Sequence, residues 1–355
     1  MSSELSDSPL DTRRLSLRSR TVLLGVVLVA LVAVVVVVVA APRRAGAESL
    51  PLRMVGEISL PGDTSRLDYA SLDPGRALLF VAHLGASEVI EVDLAARRAV
   101  RTIPNLSQVH GVLVVPSLHR VYASETGANR AVILDEDSAA VLAQTPTGDY
   151  PDGLAYDPRR GAIWITNESG GSETVIDAAT AAVRGTVALG GEVGNVAYDP
   201  VADQFLVAVQ GRNDLAVIDP TTLAITRRAA LPGCEHGHGL ALDPVDRLAF
   251  IGWEGNATLV TLDLATLRVI ATNPVGDTPD VLAYDPGPRR LYVAAEDGTV
   301  SILDQRGRAT VVVGSGHLAD GAHVIAVDPI SHHSFYPVPH GADGHPALLE
   351  MEPTQ

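Results

Sequence analysis

Three aspartates and three histidines recur at a single register of this chain. Asp68, His110, Asp152, His238, Asp280 and His323 are 42, 42, 86, 42 and 43 residues apart, and Gly194 divides the long step at the equivalent place. Imidazoles interleaved with carboxylates, once gathered at one point, offer the nitrogen and anionic oxygen donors that Zn, Ni, Cu or Fe accepts. His110, His238 and His323 are the expected metal ligands on this reading. A metal there would polarise a carbonyl while an imidazole moved a proton, which makes His110 and His238 the candidate catalytic residues. The plainer reading is that a polar residue at a strand start caps the N–H groups of a neighbouring loop. Capping accounts for the aspartates better than for the histidines.

Each of the seven positions stands six residues before a proline: Pro74, Pro116, Pro158, Pro200, Pro244, Pro286 and Pro329. Nine to eleven residues after the same prolines lie His83, Glu125, Asn167, Gln210, Glu254, Glu296 and His340. If both series share one face, the result is a polar funnel suited to a cation or to a cationic or hydroxylated ligand. Solvated loop residues are the simpler account of the second series. Of that series, His83, Glu125, Glu254 and Glu296 join the first as expected ligand-binding residues. His236 precedes His238 by two, the spacing that sends two side chains the same way along an extended strand. Cys234 and His238 form a Cys-x-x-x-His pair, although a lone cysteine is more often a buried small hydrophobe. His332, His333 and His345 read as surface residues.

The prolines also count the elements that must carry these residues, because their spacing of 42 to 44 is an internal repeat. The unit from Pro279 shows its four apolar runs as VLAYDP, RLYVAA, TVSILD and ATVVVG, separated by Asp-Pro, Gly-Arg and Asp-Gly turn signals. Four strands in about 42 residues is the pattern of a β-propeller blade. No apolar period of 3.6 residues supports a helical repeat. The fold class is therefore all-β, a seven-bladed propeller over residues 51–355. Its blades fall near 66–108, 109–150, 151–192, 193–235, 236–278, 279–321 and 322–355. The seventh lacks a fourth strand, and the stretch 52–62 has the character of one. Pairing between them is expected to close the ring, because each would otherwise leave an unpaired sheet edge.

The runs LYVAA from Leu291, VIDAATAAV from Val175 and VIDPTTLAI from Val217 resemble the YVTN β-propeller repeat. Residues 50–355 as a whole resemble the YncE-like family of extracytoplasmic seven-bladed propellers. The phrases HGVLVVPSLHRVYAS from His110 and CEHGHGLALDP from Cys234 look like its second and fifth blades. That resemblance implies a ligand face where innermost strands begin and second strands meet third strands. Blade seven departs from the repeat in HHSFYPVPHGADGHP.

Ahead of the repeat, residues 1–20 form a basic n-region, 21–41 an apolar span and 42–50 a linker. The uncharged run from Thr21 to Ala41 is long enough, at about 1.5 Å per residue, to cross a hydrocarbon core of about 30 Å. Arg13, Arg14, Arg18 and Arg20 precede it and Arg43 and Arg44 follow, which places the propeller on the extracytoplasmic side. The expected location is the cell membrane, crossed once by an N-terminal transmembrane or signal-anchor helix. The alternative is a secreted or periplasmic protein cleaved near Ala47, since Ala45-Gly46-Ala47 is a small-residue site. The residues after Ala47 carry 20 arginines against 39 acids, and no lysine occurs anywhere. So acidic a domain repels phosphate backbones, so nucleic acid is not an expected partner. Cys234 is the only cysteine, so no intrachain disulfide forms and a monomer must be stabilised by packing. Nucleophile elbow, P-loop and H-E-x-x-H motifs are absent. These features point to a membrane-tethered module that binds a small ligand, a metal or an extracytoplasmic protein at its channel mouth. The alternative is a metal-dependent lactonase, another hydrolase or a lyase using the same site.

Overall fold

The computed structural model describes residues 50–354, which form strands linked by turns and four single-turn 3-10 segments. Twenty-eight strands make seven four-stranded antiparallel sheets. Six sheets are consecutive meanders; the third runs Pro151–Asp157, Ala162–Asn167, Ser172–Asp177, Val183–Ala188. The seventh is composite, with Ala326–Val327, Ser334–Val338 and Ala347–Pro353 followed outward by Leu52–Ser59. Each innermost strand packs against the innermost strands of the blades before and after it, and Ala326–Val327 touches those of both the first and the sixth sheet. The array is therefore a seven-bladed propeller around a channel.

Burial falls from channel to rim. The second strand of blade three, AIWITN, is buried at every position, whereas the outermost strand Val183–Ala188 is mostly exposed. The inner strands are covered on both faces by neighbouring sheets, so they read as continuous apolar runs instead of alternating ones. The core lies between blades. Trp164 of blade three stacks on Phe205 of blade four with ring centroids 4.0 Å apart.

The recurring Asp-Pro is a turn device. Asp157 Oδ1 accepts the backbone N–H groups of Arg159 at 2.9 Å and Arg160 at 3.1 Å, and Asp73, Asp199 and Asp243 repeat the arrangement. A second set, Asp177, Asp219 and Asp263, does the same where third strands turn into fourth. Blade two has Val115 in place of the aspartate, and a 3-10 turn at Pro116–Leu118 replaces the side-chain bond.

The innermost strands carry a bulge where the channel mouth begins. In blades two, three, five and six the register slips by one between the first residue and the fourth, at Val109/Val112, Pro151/Leu154, Gly237/Leu240 and Pro279/Leu282. His110, Asp152, His238 and Asp280 lie inside these slips, and a bulge re-aims its side chains. The expected transmembrane helix at 21–41 lies outside the described residues. Among the described residues no helix is long and apolar enough to cross a membrane.

Candidate functional site

The bulges and strand starts bring the six ring residues together at one end of the channel, in an order that alternates sign. His323 Nδ1 lies 2.8 Å from Asp280 Oδ2, and Asp280 Oδ1 lies 3.4 Å from His238 Nε2. His238 Nε2 is 4.0 Å from Asp152 Oδ2, Asp152 Oδ1 is 3.7 Å from His110 Nε2, and His110 Nε2 is 3.2 Å from Asp68 Oδ2. Arg66 returns the circuit to its start, with Nε 2.7 Å from Asp68 Oδ2 and Nη2 2.7 Å from Glu296 Oε1, itself 3.6 Å from His323. Asp68, Asp152, Asp280 and the three histidines are all buried.

Above this circuit opens a cavity of about 390 Å³, lined among others by Asp152, Glu168, Glu254, Asp280 and Glu296. Its floor is Tyr69. The Tyr69 hydroxyl donates to Asn195 Oδ1 at 2.7 Å and lies 3.4 Å from His238 Nε2 and 3.5 Å from Asp152 Oδ2, so the ring reaches across from blade one to blades three, four and five. Beneath it is a second cavity of about 210 Å³ whose walls include Val112, Leu154, Val196, Leu240, Leu282 and Ile325. Tyr69 borders both and separates a charged mouth from an apolar channel.

Burial and mutual charge set the protonation of the site. Burial depresses an imidazole, but Asp152 and Asp68 outweigh it at His110 and raise it to about 10. Asp280, Glu254 and Asp152 do the same for His238, to about 9. Burial would raise Asp68, yet His110 and Arg66 hold it down to about 2. The acids further from these cations go the other way: burial, reinforced by Asp152, lifts Glu168 to about 7. Burial also raises Asp152 and Glu254 against the pull of the histidines. The cavity thus holds five carboxylates against three basic groups, Arg66, His110 and His238. Asp68 Oδ1 and Asp152 Oδ1 are buried without a hydrogen-bond donor.

The expected metal ligands do not converge as three histidines. His238 gathers with Glu254 and Asp280, and His323 with Asp280 and Glu296, each set with its donor atoms within 4.8 Å of one another. A carboxylate stands between each neighbouring pair of histidines, because adjacent blades supply adjacent ring positions.

The second series divides. Glu254 and Glu296 line the cavity. His83 does not: it is fully buried beside Glu88, at 3.3 Å, and Ser65, at 3.1 Å. Glu125 is buried as well, accepting the N–H of Ser107 at 2.7 Å and pairing with Arg130. Asn167 bonds within its own blade to Ser172 and Thr174. The reason is strand alternation. His83, Glu125 and Asn167 are nine residues after their prolines, whereas Glu168, Gln210, Glu254 and Glu296 are ten after theirs. A fixed offset of ten yields Leu84, Thr126, Glu168, Gln210, Glu254 and Glu296, of which four line the cavity and two contact ring histidines. Thr126 Oγ1 is 3.3 Å from His110 and the Gln210 amide 2.6 Å from His238. That regularity would have found Glu168, which sequence reasoning missed. Arg66 and Tyr150 share another offset, eight before their prolines, and were also missed.

Other expectations are corrected by local backbone. His236 has φ 53° and is exposed, so the alternation that would align it with His238 does not apply. Cys234 packs in the core beside Leu231 and Trp253, its thiol pushed up to about 12 by burial, and forms no Cys-x-x-x-His clip. His332 and His333 pair with Asp285 and Glu350, while His340 and His345 are exposed. Gly194 is dictated by packing, since a Cβ there would lie 2.6 Å from His238 Cα and 2.8 Å from its carbonyl oxygen. Asn195 takes over as blade four's polar contribution.

No family model matches this chain, and no curated protein matches it. Its fold is nevertheless common among solved structures. A chain of the Kuenenia stuttgartiensis hydrazine synthase superposes with a TM-score of 0.69 at 14% identity, covering 79% of this chain and 94% of that one. A chain of a mitotic checkpoint complex superposes at 0.71 and 13%, covering 98% and 100%. Likeness at this identity establishes the propeller and carries no activity with it.

Proposed function

We propose that this chain is a binding module that captures a small cation or cationic ligand at its channel mouth. One observation carries the reading: five carboxylates, those of Asp152, Glu168, Glu254, Asp280 and Glu296, line one cavity against three basic groups, Arg66, His110 and His238. At about 390 Å³ the cavity has the size of a small-molecule site, for which a range of about 300–1,000 Å³ is usual. Its polar lining selects a charged occupant, and a cation there would offset the burial and the lesser mutual repulsion that raise Glu168, Glu254 and Asp152. The run Thr21–Ala41 would tether the module at the cell membrane on the extracytoplasmic side. The YVTN-like runs group it with the YncE-like propellers, and pairing of Leu52–Ser59 with Ala347–Pro353 is the contact that would lock its ring.

Thermal-shift titration of the full chain with Zn²⁺, Mn²⁺, Ca²⁺, putrescine and guanidinium tests the reading. At least one of them raises the Tm of the wild type and loses that effect in the double variant Glu168→Gln/Glu254→Gln. The reading fails if no cation shifts the wild type and calorimetry detects no binding heat.

A further inference from the structure

We propose that the mouth holds one divalent transition-metal ion on His238, Glu254 and Asp280, and that the Arg66 guanidinium fills the twin position on Asp280, Glu296 and His323. This rests on the cation-binding reading above and gives it a ligand class and a stoichiometry.

The two positions are one arrangement repeated by a one-blade step. Each takes the ring residue of a blade, the glutamate ten residues after that blade's proline, and the ring residue of the next blade. Both share Asp280. Each provides one imidazole nitrogen and two carboxylates, the borderline donor set that Zn²⁺, Mn²⁺ or Fe²⁺ accepts, with coordination positions left over.

What distinguishes them is Arg66. Its Nη2 is 2.7 Å from Glu296 Oε1 and 3.8 Å from Asp280 Oδ2, so a permanent positive charge occupies the second set. Among the described residues Glu254 pairs with no arginine; its close cationic neighbour is His238, at 3.7 Å. A separate observation marks the first set as the open one. Asp152, only 1% exposed, lines the same cavity; its Oδ1 accepts no hydrogen bond and lies 3.7 Å from His110 Nε2, and its other oxygen lies 4.0 Å from His238 Nε2. A buried carboxylate that faces two imidazoles without bonding to either, beside two further carboxylates, is one whose charge a divalent ion on His238 would offset. Guanidinium cannot lose its proton, so Arg66 keeps a second metal ion out by charge as well as by volume.

The test is Zn²⁺ titration by calorimetry, with zinc content measured after gel filtration, on untagged full chain in detergent stripped by chelator. The wild type is expected to take one Zn²⁺ per chain. Glu254→Gln and His238→Ala weaken it by about 10- to 100-fold, while His323→Ala leaves it within a few-fold. Arg66→Ala takes two per chain, and Arg66→Ala/His323→Ala returns to one. Glu254→Gln alters a half-buried side chain and keeps the test usable if His238→Ala fails to fold. One Zn²⁺ in both wild type and Arg66→Ala, or two in both, overturns the role of Arg66 and leaves cation capture standing. No Zn²⁺ in either overturns the metal proposal, and cation capture is then decided by putrescine and guanidinium alone.

Discussion

The two ends of the propeller use the same acidic residues at the same period for opposite ends. At the end where first strands turn into second and third into fourth, the recurring aspartates are held by backbone N–H groups, and several also pair with an arginine. Asp157 receives two backbone N–H groups and Arg160, and Asp199 receives two, together with Gln204 and Arg247. Asp203 and Asp177 are held below the ordinary carboxylate range by Arg160 and Arg184 respectively. At the mouth, Asp152 and Glu168 are raised and Asp68 and Asp152 each leave an oxygen without a donor. An aspartate that is fully bonded builds a turn; one left short of partners is available to a ligand.

Deleting residues 50–62 is the harshest way to break this contrast, because it strips the outermost strand from blade seven. The expected result is a fall in Tm of more than about 10 °C with both ends lost together. Survival of cation binding in the deletion would show that the mouth does not depend on the complete ring. Next in size is Asp199→Ala, which should cost about 3 kcal/mol in urea denaturation, the lower end for a broken buried pair because Arg247 retains some exposure. The matching change at the mouth, Asp152→Asn, should leave the Tm unchanged or slightly raised while abolishing the cation-induced shift. A loss of stability equal to that of Asp199→Ala would erase the distinction between the ends. Gly194→Asp, which formally completes the ring of polar residues, should destabilise by about 1–3 kcal/mol without strengthening cation binding, because its Cβ meets His238 backbone at 2.6 Å.

The smallest effect is in the pH profile, where Glu168 and His110 at the mouth carry the opposite sign to Asp177 and Asp203 at the other end. Glu168 and His110 have folded values of about 7 and about 10, above their ordinary 4.5 and 6.5. Each therefore contributes stability that is complete below its ordinary value and is lost as pH rises to the folded one. Asp177 and Asp203 are depressed, so their contribution is present above 3.8 and is lost as pH falls below it. Glu168→Gln should flatten the urea midpoint between about pH 4.5 and 7, His110→Gln between about 6.5 and 10, and Asp177→Asn only the acid limb. Identical slopes in wild type and in all three variants would contradict this division.

The propeller was legible because its evidence is periodic and local. Asp-Pro turns and apolar runs recur at 42 to 44 residues, and six of the seven blades form from four consecutive runs. The ring of Asp68, His110, Asp152, His238, Asp280 and His323 was legible for the same reason, since equivalent positions in a repeat meet at one end of the channel. The second series was only half legible. A tolerance of one residue is harmless in counting blades but reverses the face of a strand, and so Asn167 displaced Glu168, and His83 and Glu125 displaced Leu84 and Thr126.

What the sequence determined by itself was therefore the number of blades, the residues equivalent between them and the end of the channel where those residues gather. Two contacts were decided only by tertiary structure. Arg66 reaches Glu296 across 230 positions of chain, and Tyr69 crosses to Asn195 over 126. Neither of these contacts is periodic. They exist because bending seven sheets into a ring makes the first blade the neighbour of the last, and no spacing along the chain encodes which side chain will then cross the opening.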